Sequence, residues 1–365
     1  MFHQKAFVLL ATLWLLAVLT LAAGFFALWT ERTFNTIQTV QADLQGEIDM
    51  YSTQAGVMYL TATQGLTIAG LTVPKTKEEL GEEDNLVDKI REDIISHPVD
   101  NIFAVGDEIS LDDTAYYGYG KARFAIQDEA GLIAVNFMSD DVWSRLLAAL
   151  GVAYELHGPL VAKYKDYIDI DDYHRLNGAE KEDYTKQNLP PPRNHLLLHP
   201  MEMWRVLDWS KQEGIWENSQ FRQLTTTLVA TAYPNFNTAP ALALQVVYNM
   251  SPEQAMQMVQ FRKTSPFYQQ ITINQLTGLT LNIDSLLVNY FPSTQLRLTL
   301  WYEGGHRMKQ VHFNITHKRY KAKPWRQVYT FDFRLLPEYQ DKLVKQAKTT
   351  VFKNQETGVR IQKSE

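Results

Sequence analysis

Residues 166–184 concentrate oxygen donors. Asp166, Asp169, Asp171, Asp172, Glu180, Glu182 and Asp183 stand there against only Arg175 and Lys181. Carboxylates held so close repel one another, so the segment either binds a cation or lies fully solvated. A hard ion such as Ca²⁺ takes about six to eight oxygen ligands, mostly carboxylate, amide and backbone carbonyl. Asp169, Asp171, Asn177 and Glu180 fall at the first, third, ninth and twelfth places of an EF-hand-length loop. The match stops there. Tyr173 stands where that loop needs an oxygen, and His174 where it needs its turn glycine. Any calcium site is therefore of another kind. Its candidate ligands are Asp166, Asp169, Asp171, Glu180 and, reaching back from the next helix, Glu202.

Other chemistry is less well supported. Glu180 and Glu202 form the one carboxylate pair that could do acid/base work, the basis of an alternative reading as a signal-anchored periplasmic hydrolase. No G-x-S-x-G, H-E-x-x-H, P-loop or dinucleotide fingerprint is present. The histidines are scattered, and His157, His195 and His199 read as surface residues in loops. Asn237-Thr238-Ala239-Pro240, two helices and Arg262-Lys263 resemble a helix-hairpin-helix. Its hairpin, residues 248–251, has no glycine to bring backbone amides to phosphate. With a net charge of -6, this reads as a packing module, and no nucleic acid is expected as partner. With no cysteine, disulfides and thiolate metal sites are excluded.

The elements that position these residues begin with an anchor. No charged residue occurs from Ala6 to Thr30, long enough to span a bilayer as a helix. His3 and Lys5 precede the run, which places the N-terminus in the cytoplasm and the bulk of the chain outside. Phe34, Ile37, Val40, Leu44, Ile48, Tyr51, Ala55 and Met58 then follow at steps of three and four, marking one helical face. With no proline before Pro74, one helix can run from about residue 7 to 59.

Residues 75–115 read as acidic loop with a short helix near 85–95. A strand pair is expected at 122–126 and 132–137, turning at 127–131. Helical patterns occupy 143–150, 159–167, 201–209, 221–229, 239–248 and 252–262. Alternation resumes at 296–302, 311–316 and 328–335, as a meander. Residues 337–365 are polar and lysine-rich, a terminal tail or frayed helix. The economical arrangement is an α/β domain whose flanking strands share one sheet, with a helical domain inserted.

Several of these segments resemble the K-type minor pseudopilins of the type II secretion system (the GspK family). The resemblance spans about residues 5–335. It rests on Asp128 and Gly131, Val135 and Asn136, the leucine-rich 143–151, Asp166 to Asp171, Gly178-Ala179-Glu180 with Tyr184, Pro190 to Pro192, Asn194, and Asn237-Thr238-Ala239. The sequence departs from the pattern at Ala6 (usually Gly), Ala134 (Asn) and Tyr167 (Trp).

The resemblance implies an α+β, pilin-like fold, a long N-terminal helix packed on an antiparallel sheet with a large inserted all-α domain that binds calcium. The expected parts are a leader at 1–6, a transmembrane and stalk helix at 7–61, an α/β domain at 62–137 and 283–336, the insertion at 138–282, and a tail at 337–365. It implies cleavage between Ala6 and Phe7 by a prepilin peptidase, with methylation of Phe7. The protein would sit single-pass in the bacterial inner membrane, held by lipid around its N-terminal helix, with its bulk in the periplasm. Its partners would be other minor pseudopilins, and its task to initiate a pseudopilus from the tip. Most pilins have Glu at the fifth place after the cut. Ala11 stands there instead, as suits a tip subunit with none above it.

Overall fold

The computed structural model describes residues 3–74, 103–217, 219–281, 283–284, 287–316 and 324–352. The short helix expected near 85–95 lies outside them.

Helix α1 (His3–Thr63) runs unbroken for 61 residues, about 90 Å at ~1.5 Å per residue. Its apolar N-terminal half stands free of the rest of the protein, with Leu13, Trp14, Leu19, Phe25 and Trp29 all exposed. The hydroxyls of Thr20 and Thr30 donate to the carbonyls of Leu16 (3.0 Å) and Phe26 (2.8 Å). That satisfies them without water, as a bilayer requires.

Lower down, α1 packs on the sheet, but not by the face its large apolar residues mark. Phe34, Ile37, Val40, Leu44, Ile48 and Tyr51 remain exposed, from 48% to 61%. The buried face carries Gly46, Asp49, Met50, Thr53, Gly56, Val57 and Leu60. Small residues win there because the approach is close. A Cβ on Gly46 would lie 2.4 Å from the Tyr302 ring, and one on Gly56 would lie 2.9 Å from Phe352. Polar residues are admitted because the turn at 118–121 supplies partners. Asp49 Oδ2 accepts from Lys121 N (2.9 Å) and Thr53 Oγ1 from Tyr119 N (2.9 Å).

After α1, β1 (Leu66–Thr67) and β2 (Gly70–Leu71) make a small hairpin. The main sheet has six strands, β3 (Asp112–Tyr117), β4 (Ala122–Asp128), β7 (Gln295–Tyr302), β8 (Arg307–Ile315), β9 (Trp325–Arg334) and β10 (Val344–Lys345). Their spatial order is β10-β3-β4-β7-β8-β9, antiparallel except for β10 beside β3. The last three of the long strands are those the alternation predicts. Leu296, Leu298, Leu300, Phe124, Ile126, Val311 and Phe313 bury one face under Met50, Val57 and Leu60 of α1. Ala115, Ala125, Trp301 and Met308 line the other, covered by Leu335 and Tyr339.

Three expectations fail for local reasons. Strand β3 falls in the segment read as acidic loop. It opens with two aspartates, and a bulge at Asp113 (φ 64°) breaks the alternation. The segment 132–137 does not return against β4. The Asp128 carboxylate accepts from Ala130 N (3.0 Å) and starts a single 3₁₀ turn at Glu129–Gly131. The chain thereby leaves the sheet, and β5 (Ile133–Ala134) pairs in parallel with β6 (Thr225–Thr226). Finally, residues 337–352 are not a tail. Tyr339, Ala347 and Phe352 are buried, and β10 extends the sheet.

Strands β4 and β7 pair directly over seven residues, from Ala122 opposite Tyr302 to Asp128 opposite Leu296. Everything between them is the insertion. It contains α2 (Asp140–Ala149), α3 (Tyr154–Ile168), α4 (Lys181–Lys186), α5 (Ala241–Tyr248), α6 (Pro252–Phe261) and α7 (Gln270–Thr277), with shorter turns between. Ser139 caps α2, and a Ser251–Gln254 capping box starts α6 as its sequence predicts. Two expected helices are shorter. Residues 201–209 form 3₁₀ turns, and the helix at Gln220–Leu224 yields to β6. The insertion has its own core, in which Trp143, Trp209, Tyr164, Phe221, Phe236 and Phe267 are fully buried or nearly so.

Candidate functional site

The acidic segment lies between α3 and α4. Asp166 is in the last turn of α3, Asp169 caps that helix, and Glu180 immediately precedes α4. Asp166 is fully buried. Its Oδ1 accepts from Arg175 Nη1 (2.8 Å) and its Oδ2 from Arg175 N (3.2 Å). The same Nη1 also donates to Asp169 Oδ2. Gly178 completes the fold of the loop, because a Cβ there would lie 1.9 Å from Asp166 Oδ2.

Glu180 is only 3% exposed, yet neither carboxylate oxygen has a hydrogen-bond partner among the described residues. Burial, and then the charges of Asp166, Asp169 and Asp172, push its carboxyl up to about 7. Burial also raises Asp169, against the pull of Arg175, and its Oδ1 is likewise unpartnered. Buried oxygens without donors beside further carboxylates are what a hard cation satisfies. The donor set fits Ca²⁺ in kind, with Asp166, Asp169 and Glu180 as the residues that would hold it. Among the described residues no group of three or more His, Asp or Glu side chains stands close enough together to hold a metal ion.

The other two candidate ligands lie elsewhere. Asp171 is exposed, and its Oδ1 accepts from Tyr173 N (3.0 Å). Glu202 is buried and engaged by Arg193 Nη1 (2.7 Å) and Leu198 N (3.1 Å). Glu202 is therefore not a free partner for Glu180 in acid/base work. Two of the three histidines assigned to the surface are not there. His157 is buried between Ser144 Oγ and the Val152 carbonyl, each 2.9 Å away. His199 stacks edge-on against Tyr329 and Phe331, and burial lowers its pKa. His195 is exposed.

A second polar centre sits where the insertion leaves the sheet. Asp128 is fully buried and accepts five hydrogen bonds. Ala130 N (3.0 Å), Ser293 N (3.0 Å) and Ser293 Oγ (2.7 Å) donate to Oδ1. Asn235 Nδ2 (3.1 Å) and Thr238 Oγ1 (2.8 Å) donate to Oδ2. One carboxylate thus ties the entrance, the middle and the exit of the insertion to β4. Gly131 is required beside it, since a Cβ there would lie 2.6 Å from Thr238 Oγ1. Arg262 closes the joint. It is buried, donates to the carbonyls of Phe236 (3.0 Å) and Ala239 (2.6 Å), and pairs with Asp112 of β3 (3.5 Å). The helix-hairpin-helix element is accordingly a packing module whose arginine faces inward. Motif spacing picks out Asp128, Gly131 and Thr238 in the sequence, but not that they touch.

A long, half-bare helix laid along one face of an antiparallel sheet defines a pilin-like protein. Within it, residues 125–213 match the family described as type II secretion system (T2SS), protein K. That stretch contains Asp128, α2, α3, the acidic loop and Glu202. Five chains among solved structures also match. One belongs to the crystal structure of the GspK-GspI-GspJ complex from the type 2 secretion system of enterotoxigenic Escherichia coli. It shares 12% identity, with 60% of this chain and 82% of that chain covered and a TM-score of 0.40. No curated protein matches significantly.

Proposed function

We propose that this protein is a membrane-anchored structural subunit at the tip of the type II secretion pseudopilus, where it starts assembly with other minor pseudopilins. The observation that carries this reading is the division of labour on α1. One face of small residues holds the protein's own sheet, and a separate stripe from Phe34 to Tyr51 remains exposed. Large apolar residues left open at helical spacing fit the helices of neighbouring subunits. Above the stripe, the free apolar half of α1 is the inner-membrane anchor, with the folded remainder in the periplasm. A prepilin peptidase would cut between Ala6 and Phe7, both within α1, and methylate Phe7.

Calcium belongs to the same reading. Asp166, Asp169 and Glu180 would hold the ion, which supplies positive charge to carboxylates that otherwise repel. Binding to the folded loop alone stabilises the insertion by mass action, about 2.7 kcal/mol at a hundredfold excess over Kd.

The test is co-purification of the full chain with the host's minor pseudopilins from detergent extracts. The native chain retains them, and an Ile37→Arg, Leu44→Arg double variant loses them while its melting temperature is unchanged. Retention of every partner by that variant would contradict the role given to the stripe.

A further inference from the structure

The acidic loop carries a cation of its own. Arg175 Nη1 bridges Asp166 and Asp169, and these are two of the three carboxylates that would hold a metal ion. Backbone bonds add to this bridge: Arg175 N donates to Asp166 Oδ2 (3.2 Å), and Gly178 N donates to Arg175 O (2.9 Å). The Arg175 side chain is 43% exposed and has a path out to solvent. What it leaves undone is visible in the same place. The guanidinium reaches Asp166 and Asp169 only, and Glu180 Oε1 and Oε2 and Asp169 Oδ1 stay buried without donors. A side chain engaged with two acids leaves the charge of the third uncancelled, and a divalent ion carries twice the charge of the guanidinium.

We infer that Arg175 is a tethered counter-ion that holds the metal-free loop together and competes with a divalent cation for Asp166 and Asp169. The inference rests on the calcium reading above. It makes two demands: the guanidinium must leave Asp166 and Asp169 when the ion enters, and the loop must keep its shape without metal because Arg175 stands in for it. The calcium affinity of the chain is set in part by how firmly Arg175 holds its place.

The experiment is calcium titration calorimetry on the full chain in detergent, paired with thermal unfolding in calcium and in chelator. Arg175→Gln removes the competitor, and Lys186→Gln removes the same charge from α4, where Lys186 pairs with Asp183 at the surface. A charge-assisted hydrogen bond contributes enough that Arg175→Gln should bind Ca²⁺ at least about tenfold more tightly than the native chain. It should also melt lower than the native chain in chelator and recover in calcium. Lys186→Gln should do neither. Arg175→Lys keeps the charge but replaces the planar guanidinium with a shorter-reaching, more strongly hydrated ammonium, and its affinity should fall between the two. Equal or weaker binding by both Arg175 variants would overturn the competition and leave the calcium site intact. No binding by any of the proteins would overturn the calcium reading, and the competition with it.

Discussion

Two carboxylates, Asp128 and Glu180, are buried to nearly the same degree and live in opposite surroundings. Asp128 accepts five hydrogen bonds from four residues spread over 163 positions of chain, Ala130 to Ser293. Glu180 accepts none among the described residues and faces other acids. Burial pushes both carboxyls up, and at Asp128 the donors of Ser293, Thr238 and Ala130 pull back. The difference shows that burial alone does not tell a structural acid from a ligand. What decides it is whether the chain itself has supplied the donors. Asp128 is finished by the fold, and the Glu180 oxygens are not.

The largest effect expected from breaking this contrast is at Asp128. Asp128→Ala strands five donors at the root of the insertion and should cost about 4 kcal/mol or more, read as a lowered melting temperature with or without calcium. Glu180→Gln should do the reverse in chelator. It removes a repelled charge and raises the melting temperature there, while shrinking the further rise that calcium gives. If Glu180→Gln instead destabilises as Asp128→Ala does, the two acids are alike and the contrast is lost.

Acid titration separates the sheet-side acids next. Burial raises Asp112, but Arg262 and the Thr114 donors more than offset it, and the folded value ends lowered. Glu129 behaves the same way, with His312 at 2.6 Å and Arg297 overcoming burial. A lowered carboxyl stabilises the fold above its unfolded value and loses that contribution as pH falls through the folded one. Stability should therefore fall below about pH 4, and Asp112→Asn should flatten that fall. A steep fall unchanged in Asp112→Asn would show that the pair with Arg262 contributes nothing.

The smallest effects on stability are expected on α1, where its two faces should answer differently. Gly46→Leu pushes the helix off Tyr302 and should cost about 1–3 kcal/mol. Ile37→Asn lies on the open stripe and should change stability by less than about 0.5 kcal/mol. Thermal unfolding of the two variants checks both values, and equal losses would mean that the stripe packs inside the protein.

Much of this architecture is legible in the chain. An unbroken helix follows from a proline-free start, and β7, β8 and β9 follow from clean alternation. The face of α1 that packs is not legible, because hydrophobic periodicity finds large residues and the sheet needs small ones, Gly46 and Gly56 above all. Strand β3 is hidden by Asp112 and Asp113, and the ordered end of the chain by the lysines around Tyr339. At the acidic loop, charge density alone exposes Asp166, Asp169 and Glu180 as a group. It cannot show that Arg175 lies between the first two, nor that Glu202 is already held by Arg193, since both depend on how the loop folds back. Asp128 carries no signal of its own beyond its motif, because four of its five donors come from Asn235, Thr238 and Ser293, more than a hundred residues away.

The reading as a pseudopilin subunit meets its most direct test at one peptide bond. Intact-mass spectrometry of the full chain, extracted from membranes that contain a type II prepilin peptidase, reads the N-terminus without further assumption. The account predicts a protein that begins at a methylated Phe7. A chain that retains Met1, or one cut near Gly24 as a secreted protein would be, would contradict it.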